Sequence, residues 1–170
     1  MTAKKVIGIA GWKNSGKTTL TVRLIEEFTR RGLKVATIKH AHHDFQIDEG
    51  ETDSARHRRA GASEVAIVSG GRWAMVHELR DEPEPSFHDM LAKLSPVDLI
   101  IAEGYKREPI PKIELRRKDS KTREPLAASD PLVIAIAADH DADGNGRPVL
   151  ALDDVAGIAD VIAAHLDLTH

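Results

Sequence analysis

Residues 11 to 19 read Gly11-Trp12-Lys13-Asn14-Ser15-Gly16-Lys17-Thr18-Thr19, which follows the pattern G-x-x-x-x-G-K and then Ser or Thr. This spacing is typical of a loop that grips the phosphates of a nucleotide. Glycines let the backbone curl until its N–H groups point at the anion, a lysine reaches the β and γ phosphates, and a hydroxyl faces the accompanying Mg²⁺. The candidate nucleotide-binding residues of the loop are Gly11, Asn14, Ser15, Gly16, Lys17, Thr18 and Thr19.

The segments on either side of this loop support a phosphate-binding interpretation. Residues 5–10 form a short apolar run that is typical of a buried strand. After the loop, Leu20, Leu24 and Phe28 recur at helical spacing, and Gly32 provides a stop for the helix. A glycine-rich turn that binds nothing is the alternative. The order of strand, loop and helix favours a bound nucleotide.

Apolar runs alternate with helical patterns along the rest of the chain. This alternation predicts an α/β fold like that of P-loop nucleoside triphosphatases, with a mainly parallel twisted sheet flanked by helices. Residues 65–68 and 73–76 flank a Ser-Gly-Gly-Arg turn, which predicts an antiparallel hairpin beside the parallel strands. Residues 112–116 alternate polar and apolar side chains, so we expect one face of that strand to be wet. Without repeats or long linkers, residues 1–170 are predicted to form one domain.

Composition limits the classes of partner. The net charge is -3, aromatic residues make up 4%, and there is no cysteine. A nucleic-acid-binding domain is usually basic or rich in stacking aromatics, so we expect no nucleic-acid partner. Without cysteine, disulfides and thiolate metal sites are excluded. No apolar run approaches the roughly 20 residues that span a bilayer, so we expect a soluble, cytoplasmic protein without a membrane partner.

Residues beyond the carboxyl ends of the predicted strands are further site candidates, because ligands of open parallel sheets bind there. Glu103 ends the most strand-like run, residues 97–102. Its carboxylate is placed to hold Mg²⁺ or to orient an attacking water. A solvated loop glutamate is the alternative. Gly104 would let the backbone approach the phosphates. We take Lys17 and Glu103 as candidate catalytic residues and Thr18 and Glu103 as candidate Mg²⁺ ligands.

A cluster of histidines follows the predicted second strand, residues 33–39. His40, His42 and His43, with Asp44, place three imidazoles and a carboxylate within five positions. They could hold a transition metal, although one local stretch rarely supplies a complete tetrahedral site. They could instead contact phosphate or a bound substrate, or form an ordinary polar loop. We keep the three histidines as candidate ligand-binding residues.

Two other segments also have more than one interpretation. Asp53 could be the N-cap of a helix, or it could lie near the nucleotide and its metal in the manner of a switch residue. The basic run at 116–123 could close over phosphates, meet an acidic or phosphorylated partner, or be a solvated face.

Several segments, in this order and at these distances, resemble the MobB family, the adapter proteins of molybdopterin-guanine dinucleotide biosynthesis. The most specific are the histidine stretch and Glu103-Gly104-Tyr105-Lys106. The matching segments are residues 16–19, 38–44, 53–54, 59–62, 72–74 and 98–106.

The resemblance implies a P-loop protein that forms a homodimer, binds GTP with Mg²⁺ and hydrolyses GTP slowly at best. It also implies two partners: a MobA-type molybdenum cofactor guanylyltransferase, and molybdopterin or its guanine dinucleotide. Many members of the wider group have a lysine where this chain has Trp12, and the guanine-reading motif N-K-x-D is absent. Asp139 is the nearest candidate for reading the base. A small-molecule kinase or an ATP-dependent ligase is the alternative function.

Overall fold

The computed structural model describes residues 4–41, 45–120 and 124–168. Their secondary structure has the expected alternation of strands and helices. In chain order the elements are β1 (Val6–Gly11), α1 (Lys17–Arg30), β2 (Val35–Lys39), α2 (Asp53–Arg59), β3 (Glu64–Val68), β4 (Trp73–His77), α3 (Phe87–Lys93), β5 (Leu99–Glu103), β6 (Lys112–Arg116), a 3₁₀ helix (Leu126–Ala128), β7 (Val133–Ala138), β8 (Val149–Ala151) and α4 (Val155–His165).

The chain divides into two compact units, residues 1–40 with 90–170, and residues 41–89. The first unit contains a six-stranded sheet in the order β2-β5-β1-β6-β7-β8, in which every neighbouring pair is parallel. The prediction of a parallel α/β sheet is thereby confirmed. That residues 1–170 form one domain stays a prediction.

The core of the first unit explains why β1 lies inside the sheet. All six residues of β1 are buried, and so are all five of β5, because both faces of these strands are covered. From α1, Leu20, Leu24 and Phe28 contribute side chains that are at most 2% exposed. This packing fixes the end of β1 and the start of α1, and hence the loop between them.

The prediction that one face of β6 is exposed to solvent is wrong. Lys112 and Glu114 are both 1% exposed. The ammonium of Lys112 lies 3.0 Å from Asp130 Oδ2, and it donates to the carbonyl oxygens of Glu108 and Ile110 at 2.7 and 3.0 Å. A buried charge is tolerated when it is paired and hydrogen-bonded, and alternation of polar residues does not reveal such partners.

The buried carboxylate of Glu114 is also hydrogen-bonded and paired with a charge, and its contacts position the segment that follows β6. Its carboxylate accepts hydrogen bonds from the backbone N–H groups of Leu126 and Ala127, both at 2.9 Å. Its Oε2 also lies 2.9 Å from the guanidinium of Arg116. The start of the 3₁₀ helix is thereby held against β6.

The second unit contains α2 and the hairpin. Strands β3 and β4 are antiparallel and pair over five positions, from Glu64 with His77 to Val68 with Trp73, so the hairpin is confirmed. The two strands form a sheet of their own and do not pair with the six parallel strands. Local turn chemistry indicates that two strands pair, but it does not indicate which sheet the pair joins.

In the described part of the chain, no helix has both the length and the apolar character required to cross a bilayer.

Replacing Glu114 with Ala should lower the free energy of unfolding by about 3–5 kcal/mol, because two backbone N–H groups lose their acceptor and the half-buried Arg116 guanidinium keeps only its bonds to Asp143 and Asn145. Glu114→Gln keeps one acceptor oxygen and should cost less. The exposed Glu124→Ala is the control and should stay within about 0.5 kcal/mol of the unsubstituted protein. Urea unfolding measures all three. Equal midpoints for Glu114→Ala and Glu124→Ala would contradict the role assigned to this carboxylate.

Candidate functional site

The loop between β1 and α1 has the shape of an anion cradle. Gly16 caps α1 with a φ of 89°, and Asn14 has a φ of 63°, so both lie in the left-handed region. A Cβ on Gly11 would lie 2.5 Å from Ser15 Oγ, so the loop closes tightly there only because that residue is glycine. Ser15 is 1% exposed, and its hydroxyl has no hydrogen-bond partner among the described residues. Such a buried orphan group is typical of a site that is completed by a ligand.

Lys17 is folded back across the loop. Its ammonium donates to the carbonyl oxygens of Trp12 at 2.8 Å and of Gly11 at 3.2 Å. Partial burial lowers the pKa of Lys17 below 10.5, and the charges of Lys106 and Lys39 lower it further, whereas Glu103 raises it. The protonated form is therefore less favourable here than in water, and a polyanion at the loop would restore it.

The two candidate Mg²⁺ ligands meet beside the loop. In the sheet, Glu103 at the end of β5 is level with Ile9 of β1 and with Lys39 of β2. Thr18 Oγ1 donates to Glu103 Oε1 at 2.9 Å, and Lys39 Nζ lies 3.4 Å from the same oxygen. Hydroxyl and carboxylate oxygens are the ligands that Mg²⁺ prefers, so this pair fits the ion chemically.

Gly104 and His40 lie next to this pair. Gly104 has a φ of 92°, and a Cβ there would lie 3.0 Å from the carbonyl oxygen of His40. The backbone N–H of His40 donates to the carbonyl of Glu103 at 3.0 Å, and its ring centroid is 5.5 Å from that of Tyr105. The close approach that Gly104 allows is therefore to the chain after β2, which places His40 near Glu103.

The other predicted site residues are less informative. His42, His43 and Asp44 lie outside the described residues. Asp53 begins α2 in the second unit, with its side chain 90% exposed. Its interpretation as an N-cap is wrong, because the cap is Thr52, whose hydroxyl accepts from the N–H of Ala55 at 3.2 Å.

That His40, His42, His43 or Asp53 contacts a ligand stays a prediction. Over 4–41, 45–120 and 124–168, no group of three or more His, Asp and Glu side chains is arranged to hold a metal ion.

A cavity of about 650 Å³ extends from the loop to the carboxyl end of β7. Gly16 and Thr19 line it at one side, and Asp139 and His140 at another. Asp139 Oδ1 accepts from His140 Nδ1 at 2.9 Å and from the N–H of Lys118 at 2.8 Å. The hydrogen bond from His140, and then that from Lys118, lower the pKa of Asp139, which keeps it an anionic acceptor at neutral pH.

Two residues that contact the loop were not named individually as site residues in the sequence analysis. The ammonium of Lys106 lies 4.0 Å above the ring of Trp12, and the indole N–H of Trp12 donates to the carbonyl of Glu124 at 2.9 Å. The guanidinium of Arg117 lies against Gly16 and also lines the cavity. The signal for Arg117 was its place directly after a parallel strand, but it was hidden within a run of charges.

Comparison with known proteins agrees with this geometry. Residues 6–139 match the family model of MobB, described as molybdopterin guanine dinucleotide synthesis protein B. The chain belongs to the MobB family. It is 38% identical over 168 residues to the molybdopterin-guanine dinucleotide biosynthesis adapter protein of Haemophilus influenzae, covering 97% of this chain and 91% of the relative. It is 36% identical over 159 residues to the adapter protein of Escherichia coli, covering 92% of this chain and 90% of the relative.

Solved MobB structures share the fold. A crystal structure of molybdopterin-guanine biosynthesis protein B matches with a TM-score of 0.73 and 26% identity, covering 95% of this chain and 99% of the other. A MobB homologue from Bacillus stearothermophilus matches with a TM-score of 0.71 and 26% identity, covering 97% and 99%. Membership of the MobB family favours an adapter over the alternative of a kinase or ligase.

The contacts of Lys17 make a prediction about its titration. Its pKa should lie below 10.5 in the nucleotide-free protein, and Lys106→Met should raise it, because the substitution removes a nearby positive charge. NMR titration of lysines labelled at Cε measures this. Lys93→Met removes an exposed charge and should leave the pKa of Lys17 unchanged. A Lys17 pKa of 10.5 or higher in the unsubstituted protein would contradict the described environment.

Proposed function

We propose that this protein binds GTP with Mg²⁺ at the loop 11–18 and acts as an adapter in the synthesis of molybdopterin guanine dinucleotide. The observation that carries the proposal is the meeting of Thr18 and Glu103 beside the glycine cradle, in a chain of the MobB family. The relatives named above are called adapter proteins of that biosynthesis.

The loop supports binding of a polyphosphate. Its backbone enters α1 through Gly16, so the N–H groups of the first helical turn and the positive end of the helix dipole face the ligand. The first turn of α1 contains no acidic residue that would oppose an anion. The ammonium of Lys17, now on the carbonyl oxygens of Gly11 and Trp12, would turn to the β and γ phosphates.

Thr18 and Glu103 would hold the Mg²⁺. When bound, the ion neutralises part of the phosphate charge and fixes the orientation of the terminal phosphates. Lys39 lies 3.4 Å from Glu103 Oε1 and keeps that carboxylate in place at the end of β5. We expect hydrolysis to be slow, because Glu103, the candidate for orienting an attacking water, would be engaged in holding Mg²⁺.

The cavity beside the loop would take the nucleoside, with Asp139 reading the base. The N1–H of guanine would donate to Oδ2 of Asp139, whereas N1 of adenine is itself an acceptor and would face the carboxylate unfavourably. Because His140 and the N–H of Lys118 bond to Oδ1 and fix the carboxylate, Asp139 is held in one orientation. This arrangement favours GTP over ATP.

An adapter needs a partner. We propose that the partner is a MobA-type guanylyltransferase, that molybdopterin or its guanine dinucleotide contacts the complex, and that the protein acts as a homodimer. In this account the protein supplies GTP to the transferase or retains the pterin product.

Replacing Lys17 with Ala should weaken GTP binding by about 10- to 100-fold, because it removes charge-assisted hydrogen bonds to phosphate. Isothermal titration calorimetry with GTP and ATP, with and without Mg²⁺, measures this effect and the preference for guanine. Lys93→Ala removes the same charge from an exposed helical position and is the matched control. The phosphate role of Lys17 fails if both variants bind GTP as tightly as the unsubstituted protein.

The adapter function predicts association with purified guanylyltransferase and a higher yield of molybdopterin guanine dinucleotide when this protein is present. Lys17→Ala should associate normally but give less stimulation at limiting GTP, since it affects only nucleotide binding. Pull-down and a guanylylation assay measure the two effects separately. Absence of both association and stimulation with the unsubstituted protein would end the proposal.

A further inference from the structure

Arg117 is a basic side chain in contact with the centre of the phosphate-binding loop. A Cβ built on Gly16 would lie 3.1 Å from Nη2 of Arg117, 3.3 Å from its Nε and 3.4 Å from its Cζ. The whole guanidinium plane is therefore within van der Waals reach of Gly16. It stands at the amino-terminal end of α1, where the helix dipole attracts anions rather than cations.

The sheet explains why Arg117 lies there. Strand β6 is parallel to β1, and Leu115 is level with Gly11, so β6 ends beside the start of the loop. Arg117 follows β6 directly, and its carbonyl accepts from the N–H of Ser120 at 3.1 Å. The next N–H, that of Lys118, donates to Asp139. The backbone on the carboxyl side of Arg117 is thus held by two hydrogen bonds.

Arg117 also faces the cavity that extends from the loop to Asp139. Gly16, Thr19 and Asp139 line this cavity together with Arg117. Two acidic residues line this cavity, Asp139 and Asp153. Asp139 is bonded to His140 and to the chain of Lys118, and within the part of the chain that the structure describes neither carboxylate forms an ion pair with Arg117. An anion bound between the loop and the cavity would lie against this positive charge.

We infer that Arg117 is a nucleotide-binding residue that holds the phosphates nearest the nucleoside. The inference rests on the proposed function, in which Lys17 takes the β and γ phosphates and Asp139 the base. Arg117 lies between Gly16 and the cavity proposed for the nucleoside, so its fork of N–H donors would face the α and β phosphates. GTP and GDP share these groups, so Arg117 contributes to both complexes equally.

The test is the affinity of Arg117→Ala and Arg117→Lys for GTP and for GDP, each with Mg²⁺, by isothermal titration calorimetry. Arg117→Ala should bind both nucleotides about 10-fold or more weakly, with the same factor for each, because the lost contacts are charge-assisted. Arg117→Lys keeps the charge without the fork and should be intermediate. Arg107→Ala, an exposed site with the same change of charge, is the control for long-range electrostatics and should leave both affinities unchanged.

The outcomes separate this inference from the proposed function. If the unsubstituted protein binds neither nucleotide, both fail. If it binds GTP and Lys17→Ala weakens binding but Arg117→Ala does not, only the inference fails. A loss confined to GTP would place Arg117 at the terminal phosphate and would also overturn it. If Arg107→Ala weakens nucleotide binding as much as Arg117→Ala does, the effect of Arg117 comes from net charge alone, and the inference fails.

Discussion

The register of β1 between β5 and β6 is the constraint on which the site depends. Because Ile9 is level with Glu103 on one side and Gly11 is level with Leu115 on the other, three strands end around one loop. A shift of either neighbour by one residue would reverse which of its side chains face the helices and would remove either the carboxylate or the guanidinium from the loop. The buried, fully apolar character of β1 fixes this register, since each face of the strand packs against the core.

Three lysines at this edge of the sheet favour the binding of an anion. Lys17 rests on backbone carbonyls, Lys39 on Glu103, and Lys106 on the face of Trp12. The partners of Lys17 and Lys106 are neutral, and a charge-assisted hydrogen bond to phosphate is stronger than either contact. Burial and neighbouring cations already disfavour the charged form of Lys17, so a bound polyphosphate relieves an unfavourable state of the free protein. The cations are thus positioned before the ligand arrives.

Local patterns were sufficient to predict the loop and the approach of Glu103 to Thr18. The spacing of glycines and lysine predicted the turn between β1 and α1, and the rule that ligands bind at the carboxyl edge predicted that Glu103 would be near Thr18. The structure brings those two side chains into contact.

The failures at β6 and at Arg117 share one physical cause, which is a partner distant in sequence. Lys112 and Glu114 looked like a wet face because their partners, Asp130 and the N–H groups of the 3₁₀ helix, lie at least 12 residues further along the chain. Arg117 looked like one charge among many because its contact with Gly16 exists only after β6 pairs with β1. For Asp53 the partner is not distant: intrinsic preference favours Asp over Thr as an N-cap, but the helix begins one residue earlier than that preference predicts, and Thr52 is the cap.

The most direct measurement of the central claim is a crystal structure of the protein with Mg²⁺ and a GTP analogue that resists hydrolysis. The account predicts phosphates within hydrogen-bond distance of the backbone N–H groups of residues 13–18, Mg²⁺ next to Thr18 and Glu103, and the guanine edge facing Asp139. Nucleotide bound elsewhere, with the loop cradle filled only by water, would contradict it.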